Sequence, residues 1–218
     1  MDESNDKLSG QEKLDIVVEA GLQLIPTIGG SLATAYYGTK QAKQFKRLEN
    51  FYKDLSQTVE ALKLQLPLLN EKDEEEIISL IEKINEQIER EISDSKRNCF
   101  KYFLLNSLGR NEEFSFDTKR FFLDSLSACN ELDLEILAHL YNSTPTLKIV
   151  GSISLSGVEQ YAIVGSISRL KSFGFAFTAT GSMSVGDNSD NTLRESVGIT
   201  TFGKQFVEYT LKIEVIEA

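Results

Sequence analysis

Residues 157 to 206 read GVEQYAIVGSISRLKSFGFAFTATGSMSVGDNSDNTLRESVGITTFGKQF, and this stretch decides the fold of the C-terminal part of the chain. On a wheel of ~100° per residue Ile163, Val164, Ile167 and Leu170 share one side, which predicts a helix from about Gly157 to Ser172 that ends at Phe173-Gly174-Phe175. Phe175 to Met183 then reads as a strand, Asp187-Asn188-Ser189-Asp190-Asn191 as a polar hairpin tip, Arg194 to Thr200 as a return strand, and Phe202 to about Ile213 as a closing helix. Tyr161, Gly165, Ser168, Arg169 and Ser172 stand opposite the apolar side of the first helix.

Upstream, Leu132, Leu134, Ile136, Leu137 and Leu140 predict a helix over residues 130 to 142 with Asn130 as its cap, followed by a short extended piece from Leu147 to Ser154. Helices, then a two-stranded wing, then a closing helix resemble a winged helix-turn-helix domain. The local patterns Leu170-Lys171-Ser172-Phe173-Gly174-Phe175 and Ile199-Thr200-Thr201-Phe202-Gly203-Lys204-Gln205-Phe206 carry that resemblance. It implies that Tyr161, Gly165, Ser168, Arg169 and Ser172 form a recognition-helix face, in which an arginine reads guanine and small residues allow close approach. Only Arg169 suits that task well. Lys171 is the other base on the helix, Glu159 subtracts a charge, and residues 129 to 218 hold ten acids against six bases. DNA contact is therefore open but disfavoured by charge, and a protein-binding use of the unit is the expectation.

The rest of the chain reads as helices. Leu14, Ile16, Val17, Val18, Leu22, Leu24 and Ile25 fit one helix, which Ile25-Pro26-Thr27-Ile28-Gly29-Gly30 breaks before a second begins at Ser31. The two arms predict a short apolar hairpin. Phe45, Leu48, Phe51 or Tyr52, Leu55, Val59, Leu62 and Leu66 extend the second helix up to Pro67. Asp73 is expected to cap a third helix, whose first turn Glu74-Glu75-Glu76 suits the positive end of a helix dipole and whose buried stripe runs Ile77, Leu80 or Ile81, Ile84, Ile88 and Ile92. Two long helices with single stripes and a short link should pack antiparallel. Cys99 to Leu108 is apolar nearly all round, which places it at the centre of the fold, with Gly109 as its end; Phe121, Phe122, Leu123 and Leu126 mark another short helix. The expected architecture is mainly α, with N-terminal helical hairpins in a helical domain over residues 1 to 128 and a winged-helix-like α+β unit over 129 to 218.

Composition narrows function mostly by exclusion. With 218 residues, 41% hydrophobic and 26% charged, the chain can bury a core without staples. The net charge of −10 is concentrated in residues 54 to 98, with twelve acids and six bases, and no stretch is basic enough for tight nonspecific nucleic-acid binding. Cys99 and Cys129 form no CxxC pair and read as reduced core thiols. The first ten residues lack the basic and apolar regions of a secretory signal, and Asp15, Glu19 and Gln23 interrupt the best apolar run, so a cytoplasmic protein without a spanning helix is expected, with peripheral contact to the inner membrane face left open. A lone histidine, His139, makes a metal site unexpected, and no Walker, GxGxxG, HExxH or GxSxG pattern occurs. A Cys129 and His139 pair lacks an evident orienting group, so neither catalytic residues, nor cofactor, nor small-molecule substrate is expected. Gly-Ser-x-Ser recurs at residues 151, 165 and 181 without an evident role. Leu22, Leu24, Ile25, Ile28 and Leu32, followed by Lys40, Lys43, Lys46 and Arg47 at helical spacing, form either a core hairpin or a surface for an anionic membrane or an oligomer partner.

Five short patterns add a family resemblance: Leu24-Ile25-Pro26 with Gly29-Gly30, Arg47-Leu48-Glu49-Asn50-Phe51, Lys96-Arg97-Asn98 before Leu104 and Asn106, Phe122-Leu123 with Leu126, and Ile199 to Phe206. Together they resemble bacterial proteins of the Abi-alpha type, an abortive-infection family. The resemblance implies a non-enzymatic interaction or regulatory protein of a phage-defence system that works through a protein partner or self-association, and it brings no catalytic residues.

Overall fold

The computed structural model of the protein describes residues 42–64, 71–109, 113–143, 147–180 and 191–212. Among them the chain is mainly helical, with one small antiparallel sheet towards the C-terminus. It divides into two compact units that part between Leu123 and Asp124, inside a helix whose last residue is Ala128.

The first unit contains α1 (Ala42–Leu62), α2 (Glu71–Arg90), α3 (Asp94–Gly109) and the opening turns of α4 (Phe116–Ala128). Leu48, Phe51, Tyr52, Leu55 and Val59 on α1 and Ile77, Leu80, Ile81, Ile84 and Ile88 on α2 are buried, each set recurring every three or four residues. α1 and α2 run antiparallel. Arg47 meets Glu89 and Tyr52 meets Asn85, so numbers rise on one helix as they fall on the other. The Tyr52 hydroxyl donates to Asn85 Oδ1 at 2.7 Å within the core, and thus this buried polar pair is satisfied and helps to fix the register of the seam. α3 is buried around most of its circumference, as its composition predicts, through Cys99, Phe100, Phe103, Leu104, Leu105 and Leu108, and Gly109 is its last residue.

Several boundaries depart from the sequence reading. α1 stops at Leu62, which is exposed rather than part of the stripe, because the chain turns left-handed at Lys63 (φ 51°) and the Leu64 and Lys63 N–H groups bond back to Val59 and Glu60. Leu66 and Phe45 fall where no side chain is described. α2 begins at Glu71, so Asp73 lies within its first turn and is not its cap. Ile92 is not buried but 79% exposed, since α2 ends at Arg90 and the chain bends before α3. Phe121 is exposed while Phe122, next to it on α4, is fully buried.

The second unit holds the end of α4, α5 (Glu131–Tyr141), β1 (Lys148–Ile149), a 3-10 turn (Val150–Ser152), α6 (Gln160–Ser172), β2 (Ala176–Ala179), a second 3-10 turn (Asn191–Arg194), β3 (Ser196–Ile199) and α7 (Thr201–Thr210). The strands lie in the order β1-β3-β2, with Lys148 opposite Val197 and Phe177 opposite Gly198. α5 starts with the expected Asn130 cap in reciprocal form: the Asn130 side chain accepts from Asp133 N–H at 2.9 Å and the Asp133 carboxylate accepts from Asn130 N–H at 2.8 Å. The strands and α6 are shorter than read from sequence, α6 beginning only after Glu159.

The two sequence patterns that suggested the wing meet at one junction. α6 closes with Gly174 at φ 74°, its N–H bonding to Lys171 and that of Phe175 to Leu170, a left-handed stop that only glycine adopts without strain. Thr200, capping α7, donates its hydroxyl to Gly174 O at 2.7 Å, accepts from Gly203 N–H at 2.8 Å, and sends its own N–H to Phe175 O at 2.9 Å. The Phe175 ring stacks on Phe206 with centroids 4.2 Å apart. A Cβ on Gly203 would stand 2.1 Å from Phe175 O, so α7 can approach this turn only because residue 203 has no side chain.

Candidate functional site

α6 is set up locally. The Glu159 carboxylate caps its start by accepting from the N–H groups of Tyr161 (2.7 Å) and Ala162 (3.3 Å), and Ile163, Ile167 and Leu170 bury its inner side. Tyr161, Gly165, Ser168, Arg169 and Ser172 are all exposed, and the structure brings the five together on one face. The serines and cations of α6 nonetheless bond to groups of the protein itself. Ser168 and Ser172 donate their hydroxyls to the carbonyls of Val164 and Arg169, Lys171 Nζ donates to Thr178 Oγ1 at 2.6 Å, and Arg169 Nη1 donates to Asp133 Oδ2 at 2.8 Å.

The Arg169 and Asp133 pair joins α6 to the start of α5. Asp133 is fully buried, whereas the arginine side chain is 43% exposed, so one edge of the guanidinium is fixed from behind and the other faces solvent. Asp133 Oδ1 and the Ser166 hydroxyl are buried without a hydrogen-bond partner. Sequence reasoning identified the arginine but not its acid, 36 residues earlier, because nothing in spacing relates the two.

Beside this helix the sheet shows a second surface that the sequence reading passed over. Leu147, Ile149 and Phe177 are 44%, 48% and 42% exposed. Leu147 and Phe177 flank Gly198 of the central strand, their side chains 2.9 Å from where a Cβ on that glycine would stand, so they close over the bare backbone. The signal available was the alternation of Leu147 and Ile149 about Lys148, too short a run to separate two faces of a strand.

Elsewhere, Lys46 is exposed and paired with Glu49 at 3.0 Å, while Arg47 is half-buried and donates to Glu89 O at 2.6 Å, tying α1 to the end of α2. Leu22, Leu24, Ile25, Ile28, Leu32 and Lys40 lie outside the described residues, and of Lys43 only the helical backbone is described. No helix among the described residues is long and apolar enough to cross a membrane.

For nucleophilic chemistry the thiols are poorly disposed. Cys99 and Cys129 are both buried, burial pushes the Cys99 thiol up to about 11 against the pull of the Lys96 charge, and His139 is exposed on the last turn of α5. Among the described residues no cluster of His, Cys, Asp and Glu is arranged to hold a metal. Comparison with protein-family models, curated proteins and solved structures finds no match for this chain.

Proposed function

We propose that the chain is a non-enzymatic interaction and regulatory protein, of the kind that serves bacterial phage defence, and that its C-terminal unit is a winged-helix-like module used to dock a protein. The order α5, β1, turn, α6, β2, β3 and the strand order β1-β3-β2 support the winged-helix reading. The observation that carries protein docking is the exposed apolar trio Leu147, Ile149 and Phe177 on the sheet. Contiguous apolar side chains that a small sheet leaves in water are a surface that association would cover, and aromatic residues are over-represented at the centres of such interfaces. The Abi-alpha resemblance supplies the defence context.

Phage plating tests this directly. Cells expressing the wild-type chain should lower plaque counts relative to empty cells, and Phe177→Asp with Ile149→Asp should abolish protection while leaving the circular dichroism spectrum unchanged. Full protection by that double variant would refute docking through the sheet, and no protection by the wild type would refute the defence assignment.

One feature favours a second reading, DNA recognition. Arg169, braced by the buried Asp133, presents its free edge beside the small residues Gly165, Ser168 and Ser172, with Tyr161 on the same face, an arrangement suited to guanine. It predicts duplex binding that weakens with salt and that Ser168→Glu abolishes. Absence of binding at low salt would dismiss it.

A further inference from the structure

Between α2 and α3 the chain makes a three-residue elbow, Glu91-Ile92-Ser93, whose polar groups are all engaged. Arg97 Nη1 donates to the carbonyl oxygens of Glu91 (2.8 Å) and Ile92 (3.0 Å), and the Glu91 carboxylate accepts from the N–H groups of Ile92 and Ser93 at 2.9 Å each. Lys96 pairs with the same carboxylate at 3.4 Å, and Arg47 holds the last turn of α2 through Glu89 O. Burial alone would raise the Glu91 pKa, but the Ser93 N–H, the Lys96 charge and the Ile92 N–H outweigh it and keep the group below the usual carboxylate range. The elbow is thus a rigid mount. What it presents to solvent is Ile92, the most exposed large apolar side chain among the described residues.

Immediately beside it is a groove. Asn50, Phe51 and Asp54 on α1 and Asp94, Arg97 and Asn98 at the start of α3 line an open recess of about 330 Å³, large enough for one side chain, with Phe51 as its apolar lining residue and polar groups around it. Its rim is acidic and open: Asp94 is 90% exposed and Asp54 53%. Each carboxylate pairs through one oxygen with a cation of its own unit, Arg97 and Lys101 respectively, and remains exposed. Next to the protruding isoleucine is the exposed Arg90.

We propose that this surface pairs with itself, so that in a two-fold dimer Ile92 of each copy enters the groove of the other and Arg90 meets the Asp94 and Asp54 rim. A two-fold interface requires a patch complementary to its own image. Here a knob and a recess, with an exposed cation by the first and exposed carboxylates by the second, lie within a few residues of each other. A two-fold rotation that brought each isoleucine to the other copy's recess would set Arg90 against these carboxylates at both ends. The pre-fixed elbow adds to this, since a side chain already held in its bound position loses little freedom on docking. The inference goes beyond docking through the sheet and does not depend on it.

Sedimentation velocity of the full chain over a concentration series tests the pairing. A reversible dimer is expected. Ile92→Asp should raise the dissociation constant about 30-fold or more, the size of a hot-spot loss. Because Ile92 is 79% exposed, the variant's thermal transition measured well below the wild-type dissociation constant should match that of the wild type, which separates a lost interface from a lost fold. Arg90→Glu should weaken the dimer, and Arg90→Glu combined with Asp94→Lys should recover it. A wild-type chain that stays monomeric at hundreds of micromolar, or a dimer that Ile92→Asp leaves intact, would overturn the proposal. Either result would leave the phage-plating outcome for Phe177 unchanged, so the two assignments fail separately.

Discussion

Replacing Gly203 by alanine tests the junction that organises the second unit. The added Cβ would stand 2.1 Å from Phe175 O and 2.9 Å from the Phe175 C and Cα atoms. The obstacle is backbone, which cannot rotate away, so α7 must back off by about 1 Å, and overpacking of this kind costs about 1–3 kcal/mol. Backing off also stretches the Thr200 N–H bond to Phe175 O and the Thr200 cap on Gly203, each worth about 1 kcal/mol. Alanine in a helix recovers about 0.5–1 kcal/mol of backbone entropy. The balance is a loss of about 3 kcal/mol, which at a urea dependence of about 2 kcal/mol/M moves the unfolding midpoint down by about 1.5 M. Gly165 is the internal control: it sits in the exposed face of α6 with nothing within 4 Å of a built Cβ, so Gly165→Ala should instead stabilise by about 0.5–1 kcal/mol. Urea titrations followed by circular dichroism at the helix band read both. A Gly203→Ala midpoint equal to wild type, or the same sign for both variants, would refute the close-approach argument.

Other consequences are as direct. Cys99 is held near 11 against an ordinary 9.0, so the folded chain binds this proton more tightly than the unfolded one; the stability this lends is whole below about pH 9 and is lost as pH rises towards about 11. Cys99→Val should show a shallower decline than wild type over that window in urea midpoints. Lys63 occupies a left-handed position at the end of α1, so Lys63→Gly should stabilise by about 1 kcal/mol in the same titration, and a loss would show that its side chain matters more than its backbone. Ser166→Ala removes a buried hydroxyl that bonds nothing and should be neutral or stabilising by up to about 1 kcal/mol. By contrast, Asp133→Ala removes both half of the α5 cap and the partner of Arg169, and should cost about 3 kcal/mol in thermal or urea unfolding.

What the sequence made legible was whatever repeats locally. The stripes Leu48 to Val59 and Ile77 to Ile88, the all-round burial of Cys99 to Leu108 and the Asn130 cap all follow from spacings within a turn or two, and all are found. Ile92 shows where such reasoning ends. It continues the four-residue step of Ile84 and Ile88, yet helix α2 has already stopped, because the Glu91 carboxylate and Arg97 satisfy the backbone groups of a bend. Periodicity describes the face of a helix but not its length, and side-chain bonds to the backbone decide the latter. The same limit hid the partner of Arg169 and the exposure of Phe177, both set by strands and helices that meet across long separations in the chain. As for the site, the face of α6 could be drawn on a wheel, but that its cations are committed to Asp133 and Thr178 could not.

The bond from Thr200 to Phe175 has a bearing on how this chain can vary. It closes a loop of 25 residues, and the entropy of closing such a loop grows only logarithmically with its length, by about 0.6 kcal/mol for each doubling. Insertions between β2 and β3 should therefore be thermodynamically cheap, whereas single-atom changes at Gly203 are not. Any variant of this chain that keeps the junction must therefore hold Gly174, Thr200 and Gly203 constant, whatever length of chain separates β2 from β3.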